Sequence, residues 1–283
     1  AGGVAVLGRV SLHDVVLAGC QTDGSVVHVA DTASLTTVRT VIADNRAYMG
    51  MAIWGTSTIL SSTVQGNIFE ADAIYVTGAV RFEDSAIVQN TAGSVAGGRG
   101  EIRLDQSTVA DNVVRRSYGG ATIFDAGSLA LEHATVAGNR APARFGRLLV
   151  ARVRHLTIAG SILAENGTQG AVVAPAAGCE AESVESHGDS ILEQPSCGEP
   201  SAGDRVTVDA DLGPLVDAGG PTPVRLPHPG SPAIGARSAG CPAVDARGAP
   251  RPVGGPCAAG AAEPSAPPPA SGLLWPIEPA FPT

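Results

Sequence analysis

The chain has 283 residues, 44% hydrophobic but only 4% aromatic, and a net charge of −9. All 18 basic residues are Arg and they form no stripe, so there is no surface to neutralise phosphates and nucleic acid is excluded as a natural partner. No apolar run reaches the roughly 18 residues that a membrane-crossing helix needs, so no membrane span is expected.

The first stretch, Gly2-Gly3-Val4-Ala5-Val6, resembles Gly119-Gly120-Ala121-Thr122-Ile123 in composition and in its place before a repeat. The chain therefore opens inside a repeat unit. An uncovered solenoid end would expose unpaired strand edges, so further upstream residues or a partner over that edge are expected.

The repeat itself reads Ser107-Thr108-Val109-Ala110-Asp111-Asn112. Its copies end at Cys20, Asn45, Asn67, Asn90, Asn112, Asn139 and Asn166, spaced 22 to 27 residues apart. Three positions before these residues stand Leu17, Ile42, Val64, Ile87, Val109, Val136 and Leu163, all branched aliphatics. Five before stand mostly small residues, such as Thr40, Ser62, Ser85 and Ser107. Eight and ten before, apolar residues recur, as in Phe82 and Val80 or Leu104 and Ile102. A spacing of two is the strand period. The odd step from eight to five requires a bend between two short strands.

A repeat of this length without a helical segment predicts stacked coils. The expected fold is all-β, a right-handed parallel β-helix of about 7–8 coils over residues 1–200. A capping region follows over 201–260 and a Pro-rich extended tail over 261–283. Asn at each bend suits the left-handed conformation, and its amide can bond to the Asn of the next coil as a ladder.

Seven positions before the terminal Asn stand Glu83, Asp105 and Glu132 in three successive coils, with Asp84 beside the first. Such a column is either a solvated outward bend or a set of repelling carboxylates that a cation such as Ca²⁺ would relieve.

Five cysteines follow no Cys-x-x-Cys pattern, which argues against zinc and redox motifs. The simplest pairing is local, Cys179 with Cys197 and Cys241 with Cys257, and implies an oxidising, extracytoplasmic site. Cys20 is left over at a turn column, as a buried thiol, a free one or an intermolecular link.

Three late phrases stand in order. They are Gly213-Pro214-Leu215 with Gly219-Gly220-Pro221-Thr222, then Gly230-Ser231-Pro232-Ala233-Ile234, then Cys241 with Asp245-Ala246-Arg247-Gly248-Ala249-Pro250-Arg251-Pro252 and Cys257. Residues 183–263 thereby resemble the C-terminal region of bacterial surface proteins with a choice-of-anchor Q domain. That resemblance implies a secreted or surface-attached β-helix protein, most such proteins having no assigned activity. The chain departs from the pattern at Ala218, Gly235 and Ala258, where the family carries Asn, Asp and Asp. Asp245 and Arg247 read as a turn-stabilising pair, and the segment from Asp209 as a cap across the last coil.

The tail ends in Leu273-Leu274-Trp275-Pro276-Ile277 and Phe281. It reads as a linker or as a docking peptide with Trp275 and Phe281 as its partner-binding anchors.

No nucleophile, zinc, phosphate-loop or EF-hand motif occurs, and the six His share no column. No catalytic residue, cofactor or metal ligand is assigned. Two readings remain. One is a secreted or cell-surface structural or interaction protein within a larger assembly, with protein partners at the tail and the open edge. The other is a carbohydrate-active or sugar-binding β-helix, which would require a groove lined by carboxylates, Arg and aromatic residues. The outward aromatics Trp54, Tyr75 and Tyr118 read as far apart in register, which favours the first.

Overall fold

The structure is a computed structural model, and it describes residues 3–115, 121–145, 148–169, 178–193, 197, 199–207, 209–252 and 254–264. Strands and turns make up nearly all of them, with one 3-10 turn at Ala143–Phe145 and no α-helix. They wind into a parallel β-solenoid of about seven turns. Each coil has three sides. In the coil ending at Asn90 these are Ile74–Val76, Ala79–Glu83 and Ala86–Val88.

The inward columns follow the repeat. Leu35, Ser57, Val80, Ile102, Leu129 and Leu156 lie one above another on the second side. Ile59, Phe82, Leu104, Leu131 and Ile158 form the next column. Ile42, Val64, Ile87, Val109, Val136 and Leu163 line the third side. Each apolar side chain in these columns is buried only because the adjacent coil covers it, at roughly 1.5–3 kcal/mol per residue.

The Asn column is a continuous ladder. Nδ2 of Asn45, Asn67, Asn90, Asn112 and Asn139 donates to Oδ1 of the next Asn at 2.8–3.1 Å. Each Nδ2 also donates to a carbonyl one coil back, as Asn112 does to Ile87. The ladder begins where the Cys20 N–H donates to Asn45 and ends where the Asn166 N–H donates to Glu193 Oε2. One expectation is corrected. The left-handed residue is not the Asn but the one before it: Asp44, Gln89, Asp111 and Glu165 have φ between 54° and 59°, and Gly19, Gly66 and Gly138 fill the other coils.

A second left-handed corner precedes the third side, at Asp14, Arg39, Ser61, Asp84, Gln106 and His133. Non-glycine residues there cost of order 1 kcal/mol or more each. A hydroxyl ladder beside the corner offsets that cost. The backbone N–H groups of Thr40, Ser62 and Ser85 donate to the hydroxyls of Ser62, Ser85 and Ser107 at 3.0–3.2 Å. The small residues five before the Asn are therefore hydrogen-bonding parts of the bend.

The C-terminal region meets the last coils, where the Ser238 N–H donates to Asp189 and the Pro232 carbonyl accepts from Arg205, but it is not confined to them. It runs back along the outer face of the third side. The Gly260 N–H donates to the Gly160 carbonyl, the Ala261 N–H to Thr135 Oγ1, and Thr222 Oγ1 to the Asp84 carbonyl. Gly260, with φ of +85°, lies so close that a Cβ would meet Ile162 Cδ1 and Thr135 Oγ1 at 2.7 Å. The covered strands are apolar or small on both faces, as Ala86-Ile87-Val88 shows. Arg225 binds two of the strained corner residues, Asp111 at 2.6 Å and Glu165 at 2.8 Å.

Candidate functional site

The acidic column forms as aligned, with Glu83, Asp105 and Glu132 in register. Glu83 and Glu132 remain partly exposed at the outward bend, and Asp105 between them is buried. Arg81 and Arg103 project from the same strands and interleave with these carboxylates. Arg81 reaches Asp105 at 2.5 Å and Glu83 at 3.0 Å, and Arg103 reaches Asp105 at 2.8 Å and Glu132 at 2.5 Å. Cross-strand ion pairing relieves the repulsion between the stacked carboxylates. Among the described residues no group of three His, Cys, Asp or Glu is arranged to hold a metal ion.

Cys179 is bonded to Cys197 and Cys241 to Cys257, as the spacing predicts. Two disulfides suit an oxidising, extracytoplasmic compartment. Cys20 is a half-buried free thiol at the head of the Asn ladder. Asp245 and Arg247 form a buried structural knot. Asp245 accepts from the Arg247 side chain at 2.7 Å and from the N–H groups of Arg247, Ala249 and Glu263. Trp275, Phe281 and Tyr118 lie outside the described residues. No helix among the described residues is long and apolar enough to cross a membrane.

The expected scatter of outward aromatics is corrected. Trp54 and Tyr75 line one groove on the first side of the solenoid, together with Tyr48, in a cavity of about 740 Å³. Tyr48 and Trp54 keep 48% and 43% of their surface exposed, enough to receive a ligand. The Trp54 ring packs against His28 in a T-shaped pair, with centroids 5.0 Å apart. Glu70, Asp72, Asp125 and Arg99 supply the polar lining.

The floor is made by missing side chains. Tyr75, Gly97 and Asp125 are consecutive in one outward column. Gly97 leaves the middle place empty, and the Asp72 carboxylate occupies it. A Cβ on Gly97 would stand 2.7–3.0 Å from the three terminal atoms of Asp72. Ser94 Oγ donates to Asp72 Oδ1 at 2.6 Å and holds it there. Burial, and then the nearby Asp125 carboxylate, push the Asp72 pKa above the ordinary carboxylate value, and the Ser94 hydrogen bonds oppose that shift. Burial also raises Asp125, while the Arg152 guanidinium at 3.6 Å favours its ionised form.

No family model matches the chain, and neither the curated proteins nor the solved structures contain a match. The site is therefore read from its own chemistry.

Proposed function

We propose that the chain is an extracytoplasmic, secreted or cell-surface glycan-binding β-solenoid, with the Tyr48–Trp54–Tyr75 groove as its site. One observation carries this reading: three aromatic rings and three carboxylates share a groove that crosses four successive coils. Three steps of roughly 4.8 Å make it about 14 Å long. Aromatic faces stack on the C–H faces of sugar rings, and carboxylates accept hydrogen bonds from neighbouring hydroxyls. The two disulfides support the location. The test is binding to immobilised xylan, dextran, soluble β-glucan, chitosan and polygalacturonate. Wild-type protein should bind at least one of them, and Trp54→Ala should lose most of that binding. Binding to none of the five, or equal binding by the variant, contradicts the reading.

A second reading, an interaction module of a larger surface assembly, is favoured by the first coil. Leu7 and Val16 there are 77% and 62% exposed. Sedimentation of wild-type protein against a Leu7→Asp, Val16→Asp variant tests it. Self-association that the variant abolishes supports this reading, and a monomer in both cases removes self-assembly through this edge.

A further inference from the structure

The Tyr48–Trp54–Tyr75 groove carries an uneven charge. Its charged lining is Glu70, Asp72 and Asp125 against the single guanidinium of Arg99. Arg99 also lines the adjoining cavity past Trp54, where Asp31 and Glu101 share the wall with it. Arg152 lies 3.6 Å from Asp125 but 3.1 Å from Glu180, so one cation serves two carboxylates. Among the described residues Glu70 and Asp72 form no ion pair. Glu70 is exposed, and Asp72, half-buried in the place that Gly97 vacates, is held by Ser94 and not by a cation. Burial is the largest cause of the raised Asp72 pKa, and an ammonium group beside it would favour the ionised form. The rings point the same way independently. Exposed Trp and Tyr faces attract cations as well as sugar C–H groups, and Tyr48 and Trp54 are both exposed.

We propose that the glycan taken by this groove is an amino-sugar polymer with free amines, its ammonium groups paired with Asp72 and Glu70 while its ring faces stack on Trp54 and Tyr48. The inference rests on the glycan reading of the groove and names its substrate class. A neutral glycan would leave the two carboxylates without a counter-charge. A uronic-acid polymer would bring further carboxylates to an acidic groove on a chain of net charge −9. An ammonium donates charge-assisted hydrogen bonds to a carboxylate, which are stronger than those of a neutral hydroxyl. Asp72 and Glu70 are therefore the specificity-determining residues, and the aromatic rings supply affinity for any sugar of suitable shape. Gly97 is a positioning residue, since any side chain there would displace Asp72.

The experiment titrates three oligosaccharides of one length and linkage into the wild-type protein at about pH 6, where amines stay protonated. They are a glucosamine chain, the same chain fully N-acetylated, and a glucose chain. Acetylation removes the charge and keeps the sugar ring. The glucosamine chain should bind about ten-fold or more tightly than either of the others, and added salt should narrow that gap. Asp72→Asn keeps an acceptor for the Ser94 hydroxyl, and Glu70→Gln keeps the side-chain shape. The double variant should lose most of the preference for the free amine, with melting close to wild type. If the double variant melts early, Glu70→Gln alone, at an exposed position, should still lose part of the preference. A glucosamine chain bound no more tightly than its acetylated or glucose counterpart overturns the inference, and the glycan reading then stands or falls on the five polysaccharides. Tightest binding of polygalacturonate among the five also overturns the inference and leaves the glycan reading standing. An undiminished preference in the variants overturns it as well. Binding to none of the five polysaccharides and none of the three oligosaccharides overturns both.

Discussion

A methyl group on Gly97 would stand 2.7 Å from the Oδ2 atom of Asp72. The two residues are therefore one device, a gap and the carboxylate that fills it. Gly97→Ala should push the Asp72 side chain out and break its hydrogen bond to Ser94. The backbone at Gly97 is not in the left-handed region, and removing a glycine stabilises by about 0.4–1 kcal/mol through the unfolded chain. Melting should hence change little while glycan affinity falls several-fold. Unchanged affinity on a panel glycan would show that Asp72 plays no part in binding.

Asn112→Ala tests the ladder. The substitution leaves the Asn90 N–H without its acceptor and the Ile87 carbonyl without the Asn112 amide, and it removes one of the two acceptors of the Asn90 amide, which keeps the Val64 carbonyl, all in a buried column. Buried unsatisfied groups cost about 1–3 kcal/mol each, so a loss of about 2 kcal/mol or more is expected in urea unfolding. A loss below about 1 kcal/mol would mean that the ladder contributes little.

Asp84 gives a pH-dependent prediction. Burial and the Glu83 and Asp245 carboxylates push its pKa up to about 6, against the weaker pull of Arg251. An Asp raised in this way folds best when protonated. Its contribution is fully present below the ordinary value of 3.8 and is lost as pH rises through about 6. Asp84→Asn removes that loss, keeps an acceptor for the Gln106 amide, and suits the left-handed φ of 48°. It should stabilise the protein at pH 7 by about 1 kcal/mol, allowing for solvent screening of a partly exposed group. The gain should vanish near pH 4, below which the wild-type carboxyl is itself neutral. A destabilised variant at pH 7 would contradict the assignment.

The disulfides close loops of 18 and 16 residues. Each is expected to contribute about 3 kcal/mol. Non-reducing peptide mapping should recover Cys179 with Cys197 and Cys241 with Cys257, and reductant should lower the melting temperature. Four free thiols in protein from an oxidising compartment would contradict the pairing.

The solenoid was legible because stacking forces each inward place, such as that of Val109, to be filled by a residue of one kind in every coil. Asn112 was legible for the same reason. The hydroxyl ladder was half legible: Ser62, Ser85 and Ser107 showed as small residues, but their hydrogen bonds depend on the bend. The flank position of the C-terminal region was missed because its contacts, such as Ala261 with Thr135, join residues 126 apart without any period. A signal existed in Ala86-Ile87-Val88 and Thr108-Val109-Ala110, where both faces of the strand carry small or apolar residues. The acidic column is legible only together with the arginines two residues before Glu83 and Asp105, Arg81 and Arg103, which pair with it. The groove was missed for a different reason. Trp54 and Tyr75 lie near one register on adjacent coils, but Tyr48 and Asp72 enter from the irregular start of the first side, where the count back from Asn carries no pattern.

The most direct measurement is calorimetric titration of an oligosaccharide from the best-bound panel glycan into wild-type protein and into Tyr48→Ala, Trp54→Ala and Val16→Ala. Wild type and Val16→Ala, which lies on another side, should bind with one affinity. The two aromatic variants should bind at least ten-fold more weakly, each with melting close to wild type. Equal affinity in all four proteins would contradict the assignment of the groove as the glycan site.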